Sequence, residues 1–175
     1  MQRSVAVRGG VLANACLSSY RITENIKLPF RIIPVIEERE KSSVAMNVKA
    51  IANFSENLFA TNVVVVIPTP PNTARCKLTV GAGRAKYEPE RQAIVWRIRR
   101  FPGEAEYSLR GEVSLIAAHK GKAWARAPIE VQFQVPMFTA SGLQVRSLKV
   151  FERSSYPTTK WVRYITKGGT YHFRI

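Results

Sequence analysis

Apolar positions along this chain recur mostly at every second residue. In "SVAMNVKAIANF", Val44, Met46, Val48, Ala50 and Ala52 alternate with polar or small residues, and Asn47 and Lys49 fall on the other face. "ATNVVVVIPTPPNT" is a β-branched run stopped by Pro68, Pro70 and Pro71, which cannot extend a hydrogen-bond ladder. "QAIVWRIRRFPGEAEYSLRGEVSLIAA" reads as two strands around Pro102-Gly103. "APIEVQFQVPMF" alternates Ile129, Val131, Phe133 and Val135, and "SGLQVRSLKVFE" alternates Leu143, Val145 and Ser147 before a second apolar set, Leu148 and Val150. In the final run, "TTKWVRYITKGGTYHFRI", a strand would turn Trp161, Arg163 and Ile165 one way and Val162 and Tyr164 the other. Gly168-Gly169 predicts a tight hairpin turn, after which Tyr171 and Phe173 resume the alternation. No segment keeps a helical stripe for more than two turns. Turn clusters recur at the spacing of β-sandwiches, so the pattern predicts an all-β fold of two packed sheets.

At 175 residues the chain is long enough for one domain with a sizeable core or for two small ones. Its 46% hydrophobic and 22% charged residues are globular values. No apolar run approaches the roughly 20 residues of a membrane span. Charge changes the picture more. Lys and Arg number 27 against 12 Asp and Glu, a net +15, which points to a polyanionic partner: nucleic acid, an anionic membrane surface or an acidic protein. In "GRAKYEPERQAIVWRIRR", Arg84 and Lys86 share one strand face and Arg97 and Arg99 share the next. Pairing those strands gathers four cations on one sheet face, interrupted by Glu88. Like charges so placed repel, and a bound anion would offset that repulsion. Aromatic interleaving is sparse, with Tyr87 and Trp96 but no RNP-type motif. A clustered phosphate, as on an inositol lipid headgroup, suits the patch better than nucleic acid.

Signals for catalysis or a cofactor are weak. Cys16 and Cys76 are too far apart for a metal knuckle, and His119 and His172 lack any metal-binding spacing. "GAGRAK" has glycines but not the Lys-Ser/Thr that would hold a nucleotide. The expectation is no enzyme, no metal and no cofactor. The start, "MQRSVAVRGGVLANACLSS", has arginines, serines and no acid, the composition of a transit peptide, but poor amphipathicity. Residues 1–19 are read as a non-homologous extension.

Five segments in order, "YRITENIKLPFRIIP", "VVVVIPTPPNTA", "GRAKYEPERQAIVWRIRRFPG", "KAWARAPIEVQFQVPMFTASGLQVRSLKVFE" and "KWVRYITKGGTYHFRI", resemble the second half of the mu homology domain of clathrin adaptor medium (mu) subunits. The resemblance covers residues 20–175. "LPFRIIP" and "KAWARAPI" look closer to the plasma-membrane adaptor than to the trans-Golgi adaptor, whereas "WVRYIT" is shared by both. The resemblance implies an elongated all-β domain of two sandwich subdomains. Residues 27–138 would form a complete distal subdomain, and residues 139–175 would supply C-terminal strands of an incomplete proximal, cargo-binding one. The family's longin-like domain, linker and first half of the mu homology domain are absent from this sequence.

The resemblance also implies function. Mu subunits bind Tyr-x-x-Φ sorting signals in cytosolic tails of membrane cargo, in clathrin-mediated endocytosis and vesicle transport. The signal adds to a strand edge that here reads Lys160 to Ile165, by β-augmentation. Trp161 and Arg163 match the wall of the tyrosine pocket, and Val145, Leu148 and Val162 match the Φ pocket. The pocket's aromatic floor and acidic residue come from a family strand this chain lacks. Arg84, Lys86 and Arg97 match phosphoinositide-binding lysines of animal plasma-membrane adaptors, and Arg99 joins them by strand geometry. Glu88 stands where those members have a fourth basic residue, a departure that would weaken the site. The implied partners are cargo tails, other adaptor subunits, phosphoinositide-containing membrane and, indirectly, clathrin. The implied location is the cytosolic face of the plasma membrane at coated pits. The alternatives are a trans-Golgi or endosomal mu subunit, or a basic β-domain that binds nucleic acid or another polyanion.

Overall fold

A computed structural model describes residues 21–39, 42–116, 124–149, 157 and 159–175. Among the described residues nine strands follow one another: β1 (Phe30–Arg39), β2 (Ser43–Ala52), β3 (Phe59–Pro68), β4 (Thr73–Val80), β5 (Arg84–Glu88), β6 (Ala93–Pro102), β7 (Glu106–Leu115), β8 (Ile129–Pro136) and β9 (Ile165–Phe173). One turn of 3-10 helix, Pro89–Arg91, joins β5 to β6. The strands form two antiparallel sheets, ordered β1-β2-β7-β4 and β5-β6-β3-β8-β9. The all-β expectation holds, and residues 1–19 with Cys16, and His119, lie outside the described residues.

The alternation of β2 turns Val44, Met46, Val48, Ala50 and Ala52 into the interior, each nearly inaccessible to solvent. Opposite them β3 contributes Val63, Val65 and Ile67, β6 Ile94, Trp96 and Ile98, and β8 Ile129, Val131, Phe133 and Val135. Two-sided burial of this kind pins register, because a one-residue slip would turn each inward set out to water. Phe30 on β1 meets Phe54, Phe101 and Phe133, with ring centroids 5.6, 5.2 and 5.0 Å away. Pro34 is accommodated because β1 is an edge strand, where a missing N–H need not leave a ladder gap.

The C-terminal region differs from the sequence-based expectation. The predicted strand around 142–152 is absent over its described part, since residues 142–149 carry no strand. Gly168-Gly169 is not a hairpin turn; β9 runs through it and pairs with β8. Neither glycine has positive φ. Val131 pairs with Tyr171 and Phe133 with Gly168, so Gly169 and Thr170 stand opposite Gln132 alone, a β-bulge. Packing explains the glycine. A Cβ on Gly168 would lie 2.5 Å from the Phe133 ring. Beyond the bulge Tyr171 packs on Phe133 and donates its hydroxyl to the Phe30 carbonyl at 3.1 Å, which ties β9 to the far sheet. Burial raises the Tyr171 phenol above its ordinary pKa, so it stays a donor at neutral pH.

The two glycines should therefore respond differently to substitution. Gly168→Ala forces the buried Phe133 ring to move and should destabilise the fold by roughly 1–3 kcal/mol in urea unfolding. Gly169→Ala meets nothing within 4 Å and should change little. Equal effects would refute the bulge packing.

Candidate anion groove and cargo edge

The basic cluster is built from the core outward. The indole of Trp96, fully buried, donates from Nε1 to the Ala82 carbonyl at 2.7 Å and so anchors the turn between β4 and β5. Within that turn Gly83 has φ +76, and a Cβ there would lie 2.3 Å from the Arg97 carbonyl oxygen. Only glycine lets the chain approach β6 this closely in this conformation. The turn delivers Arg84 directly opposite Arg97, Lys86 opposite Val95 and Glu88 opposite Ala93. Since Trp96 faces the core, these rows lie on the outer face, where Arg84, Lys86 and Arg97 are exposed while Val95 and Ala93 beside them are covered. Arg84, Lys86, Arg97 and Arg99 line one open groove of about 880 Å³, with Asn62, Val64 and Gly83. All four cations proposed from the sequence are brought together.

Glu88 joins this face with a specific partner. Arg97 donates from Nη2 to its Oε1 at 2.9 Å, and Arg91 approaches its other oxygen at 3.7 Å. The Arg97 hydrogen bond, more than its charge or that of Arg91, holds the Glu88 carboxyl below the usual glutamate range. Reaching Glu88 takes the Arg97 stem across the Val95–Lys86 row, and Val95 there is fully buried. Among the described residues, Arg84, Lys86 and Arg99 take part in no ion pair.

Sequence reasoning missed Asn62 and Gly83. Asn62 has φ 52, and the β3–β8 register shifts between Thr61 and Val64, so a bulge shapes the groove wall. An asparagine before a β-branched run is the signal that could have found it. The outer face of the other sheet differs in character. Its depression of about 410 Å³ mixes Glu37 and Glu112 with Arg39, Lys77 and Arg110, so it gathers no single sign of charge.

The cargo-matching residues are placed less regularly. Lys160, Trp161, Val162 and Arg163 are exposed and precede β9 without belonging to a strand; of the expected strand only Ile165 is in β9. No described strand lies beside residues 160–164, and an isolated strand has no ladder to hold it. The alternation expected of Trp161 and Arg163 is therefore not formed. Val145 and Leu148, 46% and 47% exposed, lie on the irregular 142–149 segment. The two segments are linked where the Val145 N–H donates to the Tyr164 hydroxyl at 2.9 Å, while the Tyr164 carbonyl accepts from Met137 N–H at 2.8 Å. Trp161 is 71% exposed.

Other reactive groups are few. Burial pushes the Cys76 thiol up to about 11, which leaves it protonated and a poor nucleophile at neutral pH. Among the described residues no three His, Cys, Asp or Glu side chains come together as a metal site, and no helix is long and apolar enough to cross a membrane.

The two packed antiparallel sheets are similar in fold to a solved mu homology domain. A solved structure, the Fcho1 mu homology domain of Danio rerio with bound Eps15 peptide, superposes with TM-score 0.53 at 11% identity, covering 82% of this chain and 44% of that one. The model of the adaptor complexes medium subunit family matches residues 12–175, including residues 12–19 that the sequence resemblance left out. The chain is 55% identical over 161 residues to the AP-2 complex subunit mu of Dictyostelium discoideum. It is 41% identical over 159 residues to the AP-1 complex subunit mu-1-I of Caenorhabditis elegans. Both alignments cover 91% of this chain, and 37% and 38% of those relatives respectively. The chain belongs to the adaptor complexes medium subunit family.

The turn that sets β5 can be tested directly. Gly83→Ala combines a strained φ with a backbone collision, and should cost on the order of 1–3 kcal/mol in unfolding free energy. An unchanged unfolding midpoint would show that β5 is positioned by something else.

Proposed function

We propose that this chain is a non-enzymatic cargo- and membrane-binding module of a clathrin adaptor medium subunit. It acts at the cytosolic face of the plasma membrane, with other adaptor subunits, during endocytosis and vesicle transport. The observation that carries this reading is the 55% identity to an AP-2 mu subunit over 91% of the chain. The 41% identity to an AP-1 mu subunit is lower, which favours the plasma-membrane reading over the trans-Golgi one. The groove of Arg84, Lys86, Arg97 and Arg99 supports phosphoinositide binding, since converging cations favour a clustered phosphate over diffuse charge. Cargo binding rests on Trp161 and Arg163 as one wall of a tyrosine pocket and on Val145, Leu148 and Val162 as part of a Φ pocket, with Lys160 at the same edge.

The lipid arm is tested with vesicles. The chain should prefer a bisphosphorylated phosphoinositide over phosphatidylserine at equal surface charge, with a salt slope in both cases. Arg84→Glu with Lys86→Glu should abolish the preference; full preference in that variant would show that the wrong patch was chosen. Tight, sequence-selective nucleic-acid binding at physiological salt would instead favour the polyanion reading.

The cargo arm is tested by titrating a Tyr-x-x-Φ peptide. Exposed segments with no described strand beside them cannot close a pocket, and each unmade hydrogen bond to a buried phenol is worth roughly 1–3 kcal/mol. Two such losses already cost on the order of a hundredfold in affinity. The chain alone should therefore show no binding at micromolar peptide, and addition of the first half of a relative's mu homology domain should restore it. In the restored complex Arg163→Ala and Val162→Ser should each weaken binding, and alanine in place of the peptide tyrosine should abolish it. Tight, tyrosine-dependent binding by the chain alone would contradict this account of the groove.

A further inference from the structure

The anion groove contains its own anion. Glu88 holds Arg97 at 2.9 Å, with side-chain exposures of 26% and 54% respectively. Arg84, directly across from Arg97, has no carboxylate partner among the described residues, and neither has Lys86 or Arg99. Three cations are thus free for a ligand and the fourth is already occupied. We propose that Glu88 is an internal competitor for Arg97, so that the groove takes a phosphomonoester by exchange: the ligand phosphate displaces the Glu88 carboxylate and bridges Arg84 and Arg97. This rests on the phosphoinositide reading above and adds the residue that sets the strength and selectivity of that site.

The chemistry of the exchange favours a phosphomonoester. A carboxylate brings Arg97 one negative charge over two oxygens. A phosphodiester also brings a single charge, so it offers Arg97 no more than Glu88 already does. A phosphomonoester brings about −1.5 to −2 and three terminal oxygens, enough to engage two guanidinium groups at once. Diffuse anionic lipid can be held by Arg84, Lys86 and Arg99 without disturbing the pair. Displaced Glu88 keeps its second neighbour, Arg91, at 3.7 Å, so the carboxylate is not stranded when Arg97 leaves it.

A double-mutant cycle separates this exchange from simple repulsion by a nearby carboxylate. Glu88→Gln in the full chain should tighten binding to vesicles containing a bisphosphorylated phosphoinositide by about two- to fivefold, the range an exposed ion pair is worth. Binding to charge-matched phosphatidylserine vesicles should barely change. Free inositol 1,4,5-trisphosphate should gain by the same factor. The gain should vanish when Arg97→Gln is also present and persist when Arg84→Gln is present instead, because Glu88 bonds the first and not the second. A gain that survives Arg97→Gln, or an equal gain for both lipids, would overturn the exchange while leaving the lipid reading intact. A gain confined to the free headgroup would support the exchange and overturn the membrane source. No gain with any of these probes would overturn the exchange. Thermal melts of the variants should stay within a few degrees of the parent, since losing an exposed ion pair costs little stability.

Discussion

One part-buried hydrogen bond, from the Trp96 indole to the Ala82 carbonyl at 2.7 Å, connects the interior of this protein to its charged surface. Trp96 is the largest of the fully buried side chains, so its ring sits where packing leaves little freedom. A buried indole N–H without a partner would be destabilising, and the turn before β5 supplies the acceptor. The same turn needs Gly83 to pass within reach of the Arg97 carbonyl. Core packing, backbone conformation and strand register therefore converge on one outcome, the placement of Arg84 against Arg97.

That placement is electrostatically unfavourable when empty. Two arginines directly opposite on neighbouring strands repel, and the fold offsets part of the repulsion locally by letting Arg97 reach along the sheet to Glu88. The remaining cations stay open to solvent. The other sheet shows what an offset face looks like: there Lys49 and Glu106 pair at 2.7 Å, and Glu and Arg share the central depression. The difference between the faces lies in the balance of sign: the lining of the groove is cationic, and that of the other depression is mixed.

Much of the fold was legible because alternation is a local signal that burial on one face enforces. β2 and β8 follow the inward sets read from Val44 to Ala52 and from Ile129 to Val135. The cation cluster was legible for a related reason: a short turn at Pro89 joins β5 and β6, so their register follows from the loop. What could not be read depends on partners distant in sequence. Residues 160–164 alternate as well as any strand, yet among the described residues no strand stands beside them, and a ladder takes two. Gly168-Gly169 resembles a turn until the Phe133 ring, brought in by β8, explains the glycine as a packing requirement. The Glu88–Arg97 bond crosses a row of the sheet, and no spacing rule predicts which carboxylate a long arginine will choose.

The central claim is that the face built on β5 and β6 is where this module meets an anionic membrane. Amide hydrogen exchange of the full chain, free and on vesicles carrying a bisphosphorylated phosphoinositide, tests it most directly. The account predicts slower exchange on the vesicles at residues 81–83, along β5 and through the turn at Pro89–Arg91, with the outer face of the β1-β2-β7-β4 sheet unchanged. Protection centred on that opposite sheet, with the β5 region exchanging as in the free chain, would contradict it.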